Sequence, residues 1–424
     1  MKLTVIGGGS TYTPELTDGF SRLRDVLPID ELWLVDPDDE RRELVAGVSR
    51  RMFARAGHPG RIRATADLVE GVADADVVLI QLRIGGQAAR LGDETWPHEA
   101  CCIGQETTGP GGLAKALRTV PVVLEVAEAV RRHAKPGAWI VDFTNPVGIV
   151  TRALLQAGHR AVGLCNVAIG FQRRFARLLD ADPSRVRLDH VGLNHLTWER
   201  GVLLDGTDVL PSLLQDRLPE LAAEVELPAP LLETLGMVPS YYLRYFYAHD
   251  RVLDEQRHER PRAAQVMDVE RELLRLYADP SVDEKPAVLS ERGGAFYSEA
   301  AVDLIASLLS DRGDVQVANV RNDGLLPFLP DDHVIEAPAM IGADGPVAVP
   351  VAPLPADLQG LIGHVAGYER LALDAALHTG SAARGRQLVE HALLAHPLVG
   401  QWDRAERLAD LLLARNAEHL AWAR

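Results

Sequence analysis

Cys165 ends a short apolar run, "VGLC", and Asn166 follows it directly; it is one of only 3 cysteines in the chain. A second run of similar shape, "VGLNHLTW", carries His195 immediately after Asn194. A thiolate and an imidazole can hold a divalent metal and leave positions open for substrate, a catalytic arrangement rather than a closed structural one. Their 30-residue separation is unlike a compact zinc finger. Each also has a plain reading, Cys165 as a small buried hydrophobe and His195 as a structural or surface histidine. A different chemistry begins at the start of the chain. Gly7 and Gly9 of "VIGGGS" take the first two positions of a dinucleotide-binding turn, with Ser10 beside them. Glycines there let the backbone approach a pyrophosphate, whose charge is met by amides at a helix start. Asp36, closing the run "LWLVD", can accept from the ribose hydroxyls of NAD and would repel the extra phosphate of NADP. The third glycine of the fingerprint is missing, because Tyr12 stands in its place. On these residues alone, a tight turn and an acidic strand end remain the alternatives.

These residues need a sheet to bring them together. "KLTVIGGGS", "IDELWLVD", "RIRATAD", "ADVVLIQL", "AWIVDFTNP" and "HRAVGLCN" read as strands separated by amphipathic stretches, which predicts a parallel sheet covered on both faces. Asn145, before Pro146, then stands at the sheet edge where open α/β folds bind ligands. "GLAKALRTVPVVLEVAEAVRRHA" reads as a long helix that Pro121 kinks or divides. Extended segments from residue 185, with a turn at Asp205 and Gly206, suggest antiparallel pairing. Beyond about residue 210 the pattern is mainly helical, and "GPVAVPVAPLPADLQG" reads as a loop or extended crossing. A chain of 424 residues suggests two domains: a Rossmann-like parallel sheet over 1–165 and a mixed, mainly helical α+β substrate domain over 166–424.

Composition narrows the setting. The 60 acidic and 44 basic residues leave a net charge of -16, which argues against nucleic acid as a partner but allows a local basic pocket for a small anion. So few cysteines make no disulfide framework and point to a reducing compartment. The N-terminus lacks a secretory pattern, and no run approaches the roughly 20 apolar residues of a membrane span. A cytoplasmic protein that does not enter a membrane is expected.

Several segments occur in a telling order: "LRIGGQAARLGDE" at 82–94, "GQETTGPGG" at 104–112, "NPVG" at 145–148, "LCNVAIG" at 164–170, "GLNHLTW" at 192–198 and "YYLRYF" at 241–246. Through them and the glycine turn, nearly the whole chain resembles the NAD- and divalent-metal-dependent glycosidases of glycoside hydrolase family 4, particularly the 6-phospho-β-glucosidases. The resemblance implies Cys165 and His195 as ligands of a divalent ion, typically Mn²⁺. It implies Arg90, Asn145, Asn166 and Arg262 as substrate-binding residues. Tyr242 matches the catalytic base, with Tyr245 and Tyr241 close enough to leave the register open. Phospho-α-glucosidases of the family tend to carry an aspartate directly after the metal-binding cysteine, so Asn166 implies a β-glucoside and leaves the leaving-group acid unassigned. Glu106 is either an exposed helix-start carboxylate or part of a functional segment, and "ERGGAFY" at 291–297 is a candidate pocket wall.

The implied reaction oxidises sugar C3 with NAD⁺, removes the C2 proton, expels the C1 substituent, adds water and re-reduces the ketone. NAD⁺ is regenerated, and the usual carboxylate pair is not used. The expected substrate is a 6-phospho-β-glucoside, and the expected assembly a homodimer or homotetramer. Three readings stand beside it: a non-phosphorylated glycosidase of the same family, a malate- or lactate-like dehydrogenase, and a non-enzymatic NAD sensor.

Overall fold

Runs rich in valine, leucine and isoleucine form the first half of the sheet. A computed structural model of the chain describes residues 1–294 and 296–423. Strands β1 (Lys2–Ile6), β2 (Glu31–Val35), β3 (Arg61–Thr65), β4 (Val77–Ile80), β5 (Trp139–Asp142) and β6 (Ala161–Gly163) are parallel, in the order β3-β2-β1-β4-β5-β6. That is the doubly wound order of a dinucleotide-binding sheet, whose reversal beside β1 opens a crevice at the C-terminal strand ends. Neighbouring strand residues feed opposite cores: Val77 and Leu79 pack into one, Val78 and Ile80 into the other. Burial on both faces explains why these strands read as continuous apolar runs. The helix Gly111–His133 contains Pro121 without being divided by it.

The sheet does not stop where the parallel pattern ends. β7 (Val186–Leu193), β8 (Leu196–Leu204), β9 (Thr207–Asp208), β10 (Val238–Pro239), β11 (Asp314–Arg321), β12 (Val334–Gly342) and β13 (Gly345–Ala348) complete a 13-stranded sheet. β11 docks antiparallel on β6, and β12, β7, β8 and β10 follow outward. The expected turn at Asp205 and Gly206 joins β8 to β9, and a tighter one at Asn194 and His195 joins β7 to β8. Sequence reasoning missed β11 and β12, and read the Pro-rich piece containing β13 as a loop or extended crossing, of which the extended reading fits β13. Pro338 inside β12 and the prolines after β13 read as strand breakers, because proline cannot donate to a ladder. Among the described residues, no helix is long and apolar enough to cross a membrane.

Candidate active site

The glycine turn leaves β1 where the sheet order reverses. Gly7 and Gly8 donate their N–H groups to the Val35 carbonyl, both at 2.9 Å, and so tie the turn to the end of β2. Gly7 has φ +82°, and a Cβ there would lie 2.7 Å from the Gln81 carbonyl oxygen, so only glycine fits. The Gly9 N–H donates to Asp36 Oδ2 at 2.9 Å, which places that carboxylate against the turn. Ser10 Oγ accepts from the Tyr12 N–H at 3.2 Å. Tyr12 turns away from the glycine role toward a different neighbour, donating its hydroxyl to the Gly294 carbonyl.

Cys165 lies two residues beyond the end of β6 and precedes the helix Val167–Leu178. Its sulfur faces the backbone amides of Asn166 and Val167 and the side chain of Asn194. His195 is delivered from the opposite side by the hairpin turn, in a left-handed conformation with φ +64°. Gly192 allows that turn to close, since a Cβ there would fall 2.0 Å from the Leu196 carbonyl oxygen. The short pairing of β10 with β8 and a 2.9 Å bond from the Ser240 N–H to the Thr197 carbonyl then swing Tyr242 over the hairpin. Its ring stacks on His195 with centroids 3.6 Å apart and planes 7° from parallel.

Cys165 and His195 fit a divalent ion by their chemistry. Burial pushes the thiol far above its usual range, with Glu336 adding to the effect, and a cation is what releases a thiolate in such a place. Burial holds the imidazole down at about 4, in the neutral form that ligates metals. His195 Nδ1 and Asn145 Oδ1 are buried without hydrogen-bond partners. Among the described residues, no group of three or more His, Cys, Asp or Glu forms a closed metal cage. A two-residue protein set of this kind leaves coordination positions for substrate oxygens.

One cleft of about 610 Å³ unites most of the predicted residues: Gly7, Ser10, Asp36, Arg90, Asn145, Asn166, His195, Tyr242 and Arg262 all line it. Gly9 lies behind Asp36, and Cys165 is buried beside the hairpin, 5% exposed. Arg262 is exposed on the rim, at the start of the helix Arg262–Ala278, where it donates to the Glu291 carbonyl. Tyr245 goes elsewhere: it packs with Ile103, Val252, Leu253 and Leu398, away from the cleft. Of "ERGGAFY", Arg292, Gly293, Gly294 and Tyr297 line the cleft, while Ala295 lies outside the described residues.

Cleft-lining residues also meet carboxylates to which sequence reasoning gave no chemical step. Glu106 is buried and meets three cations: Arg83, Lys115 Nζ at 2.6 Å and Arg90 Nε at 3.1 Å. Burial opposes its ionisation, but Arg83, Lys115 and Arg90 hold the carboxyl well below the usual range. Glu270 collects Gln87, Thr11, Arg41 and Arg292 in a second knot of the cleft that the glycine turn lines. Its position in "DVERELL" looks like an ordinary helix-surface charge, so sequence gave no signal for it. For Lys115 and Arg83, the glycine-rich segments flanking them were the only clue.

Two buried bases give the fold opposite pH dependences. Burial works against the His190 proton, but Glu199 at 2.6 Å and Glu336 at 3.0 Å outweigh it and push the imidazole up to about 10. This contribution to stability is complete below the unfolded value of about 6.5 and is lost as pH rises through 10. Burial, only partly offset by Glu106, pulls Lys115 down to about 7. From there to about pH 10.4 the unfolded chain holds a proton that the fold has released, so this term makes stability rise with pH. Lys115→Met is therefore expected to make the unfolding free energy fall more steeply between pH 7 and 10 than in the wild type. Urea titrations across that range measure the slopes, and equal slopes would refute the assignment.

Comparison with known proteins agrees with this geometry. Residues 2–181 match the family model described as Family 4 glycosyl hydrolase, and residues 190–399 match its C-terminal domain. A probable 6-phospho-beta-glucosidase of Bacillus subtilis is 39% identical over 435 residues, covering 99% of this chain and 97% of that protein. The structure of the Thermotoga maritima 6-phospho-beta glucosidase with manganese, NAD+ and glucose-6-phosphate aligns with a TM-score of 0.91 at 33% identity, covering 99% of both chains. A 6-phospho-alpha-glucosidase from gut microorganisms, in complex with NAD and glucose-6-phosphate, aligns with a TM-score of 0.90 at 25% identity, covering 100% of this chain and 99% of that one. With both halves matched in order around a single cleft, the chain belongs to family 4 of the glycosyl hydrolases.

Proposed function

We propose that this chain hydrolyses 6-phospho-β-glucosides with NAD⁺ and a divalent ion, typically Mn²⁺. The observation that carries the reading is the meeting of the glycine turn, Tyr242 and His195 in one cleft, with Cys165 buried beside it. Arg41, Arg83, Arg90, Lys115, Arg262 and Arg292 line that cleft in a chain of net charge -16. Such a concentration of cations suits a dinucleotide and a sugar phosphate together. The fold is shared by α- and β-specific relatives, so it does not choose the anomer. The higher identity to the β-glucosidases and the presence of Asn166 after Cys165 favour the β-glucoside.

When bound, NAD⁺ supplies a hydride acceptor that later returns the hydride, and the divalent ion supplies a Lewis acid for neighbouring sugar oxygens. The residues of the chain position and move protons around that chemistry. Gly7, Gly9 and Ser10 receive the pyrophosphate at the start of the helix Thr13–Arg22, while Asp36 accepts from the ribose. Cys165 and His195 hold the ion. Tyr242 takes the C2 proton, made acidic by the adjacent C3 ketone. Arg90, Asn145, Asn166 and Arg262 orient the sugar and its phosphate. In this division of labour residues 1–165 hold the dinucleotide and contribute Arg90, Asn145 and Cys165, while residues 166–424 supply the other metal and substrate groups and the contacts of a homodimer or homotetramer. The free state of Cys101, Cys102 and Cys165 favours a cytoplasmic setting.

The test incubates metal-reconstituted protein with p-nitrophenyl 6-phospho-β-glucoside, the unphosphorylated β-glucoside and the α-phospho form, each with and without NAD⁺ and Mn²⁺. Turnover of the first is expected to need both cofactors, with no net accumulation of NADH. Equal turnover without them would overturn the mechanism, and preference for either other sugar would overturn the substrate.

A further inference from the structure

A row of four register neighbours crosses the sheet beneath the metal pair. Gly163 of β6 faces Asn319 of β11, Asn319 faces Glu336 of β12, and Glu336 faces Gly192 of β7. Cys165 lies two residues beyond one end of this row, and Asn194 two residues beyond the other. Glu336, 1% exposed, makes three bonds there. Its Oε2 accepts from Asn194 Nδ2 and from Asn319 Nδ2, each at 2.9 Å, and its Oε1 lies 3.0 Å from His190 Nε2.

We propose that Glu336 is a positioning residue for the metal pair, acting through Asn194; this rests on the metal reading above. An amide nitrogen has two hydrogens, and a carboxylate can only accept. Glu336 therefore fixes which way the Asn194 amide points, because the flipped amide would set its oxygen against the carboxylate. With the nitrogen held by Glu336, the same side chain faces the Cys165 sulfur. Holding Asn194 also pins the two-residue turn that carries His195 in its left-handed conformation. One carboxylate thus braces the turn that carries His195, through an amide that also faces Cys165. Asn319 holds Glu336 from the β6 side and completes the brace.

The experiment measures Mn²⁺ affinity by the electron paramagnetic resonance signal of free Mn²⁺, and NAD⁺ affinity by calorimetry, in wild type, Cys165→Ala, Glu336→Gln and Asn194→Ala. Loss of such supporting partners typically weakens metal binding about 10–100-fold. That loss is expected for both Glu336→Gln and Asn194→Ala, with NAD⁺ affinity at the wild-type value. A merely structural role would weaken both ligands together, and that result would overturn the proposal. If Glu336→Gln does not fold, Asn194→Ala decides the matter, since it leaves Glu336 bonded to Asn319 and His190. Wild-type Mn²⁺ affinity in Cys165→Ala would refute the metal reading itself. Loss in Cys165→Ala with unchanged affinity in Asn194→Ala would refute only the positioning role.

Discussion

Tyr242→Phe is expected to lower turnover about 10²–10⁴-fold, the usual contribution of a positioned acid or base, while NAD⁺ and Mn²⁺ bind as in the wild type. The substitution removes one oxygen and leaves the ring that stacks on His195 at 3.6 Å. Packing is preserved, so a loss of rate reports on the hydroxyl. Burial pushes that hydroxyl far above its ordinary range, with Cys165 and Glu106 adding to the effect and Arg90 working against it. A phenol so placed is a poor base by itself and depends on cations in the filled cleft. Tyr245→Phe is the matching control, because that ring packs among Ile103, Val252 and Leu253 and does not line the cleft. Wild-type turnover in Tyr242→Phe, or the loss appearing in Tyr245→Phe instead, would remove Tyr242 from the mechanism. Exchange of solvent deuterium into substrate C2 gives an independent reading, and it should fall along with turnover.

The contrast between these tyrosines shows how far the sequence could reach. Spacing along "YYLRYF" makes all three candidates, and the choice is made by the pairing of β10 with β8, which no local pattern announces. Strand-end residues were easier to read. Gly7, Asp36, Asn145 and Cys165 follow apolar runs that end abruptly, and a parallel sheet gathers such ends at one edge. His195 depended on resemblance, because its position in a hairpin turn requires β7 and β8 to be recognised as separate strands. Glu106 and Glu270 illustrate a different limit. Buried carboxylates are legible only through partners distant in sequence, and Arg41 lies 229 residues from Glu270. The strands β11 and β12, which carry Asn319 and Glu336, were hidden for a related reason: their apolar pattern is interrupted by polar residues whose partners sit on other strands.

Glu106→Gln is expected to destabilise the protein by about 3–5 kcal/mol, the range for removing one partner of a buried ionic group. Glu106 is 6% exposed and stands among Arg83, Arg90 and Lys115, while Glu94 at 2.7 Å compensates Arg90 alone. Glutamine keeps the size and one acceptor but removes the charge, so Arg83 and Lys115 are left facing each other with little between them. Lys115→Met removes a cation from the same knot and leaves Glu106 with two guanidinium partners, so its effect should be smaller. The decisive variant is the double one. If uncompensated charge is the cause, adding Lys115→Met to Glu106→Gln relieves part of the repulsion, and the double variant is more stable than the sum of the single losses predicts. Urea unfolding of the four proteins at pH 6, where Lys115 of the wild type is charged, closes the cycle. Strict additivity would mean that Glu106 contributes through packing alone. The same cycle repeated above pH 8 should show weaker coupling, because Lys115, pulled down to about 7, has then largely given up the charge that Glu106 compensates.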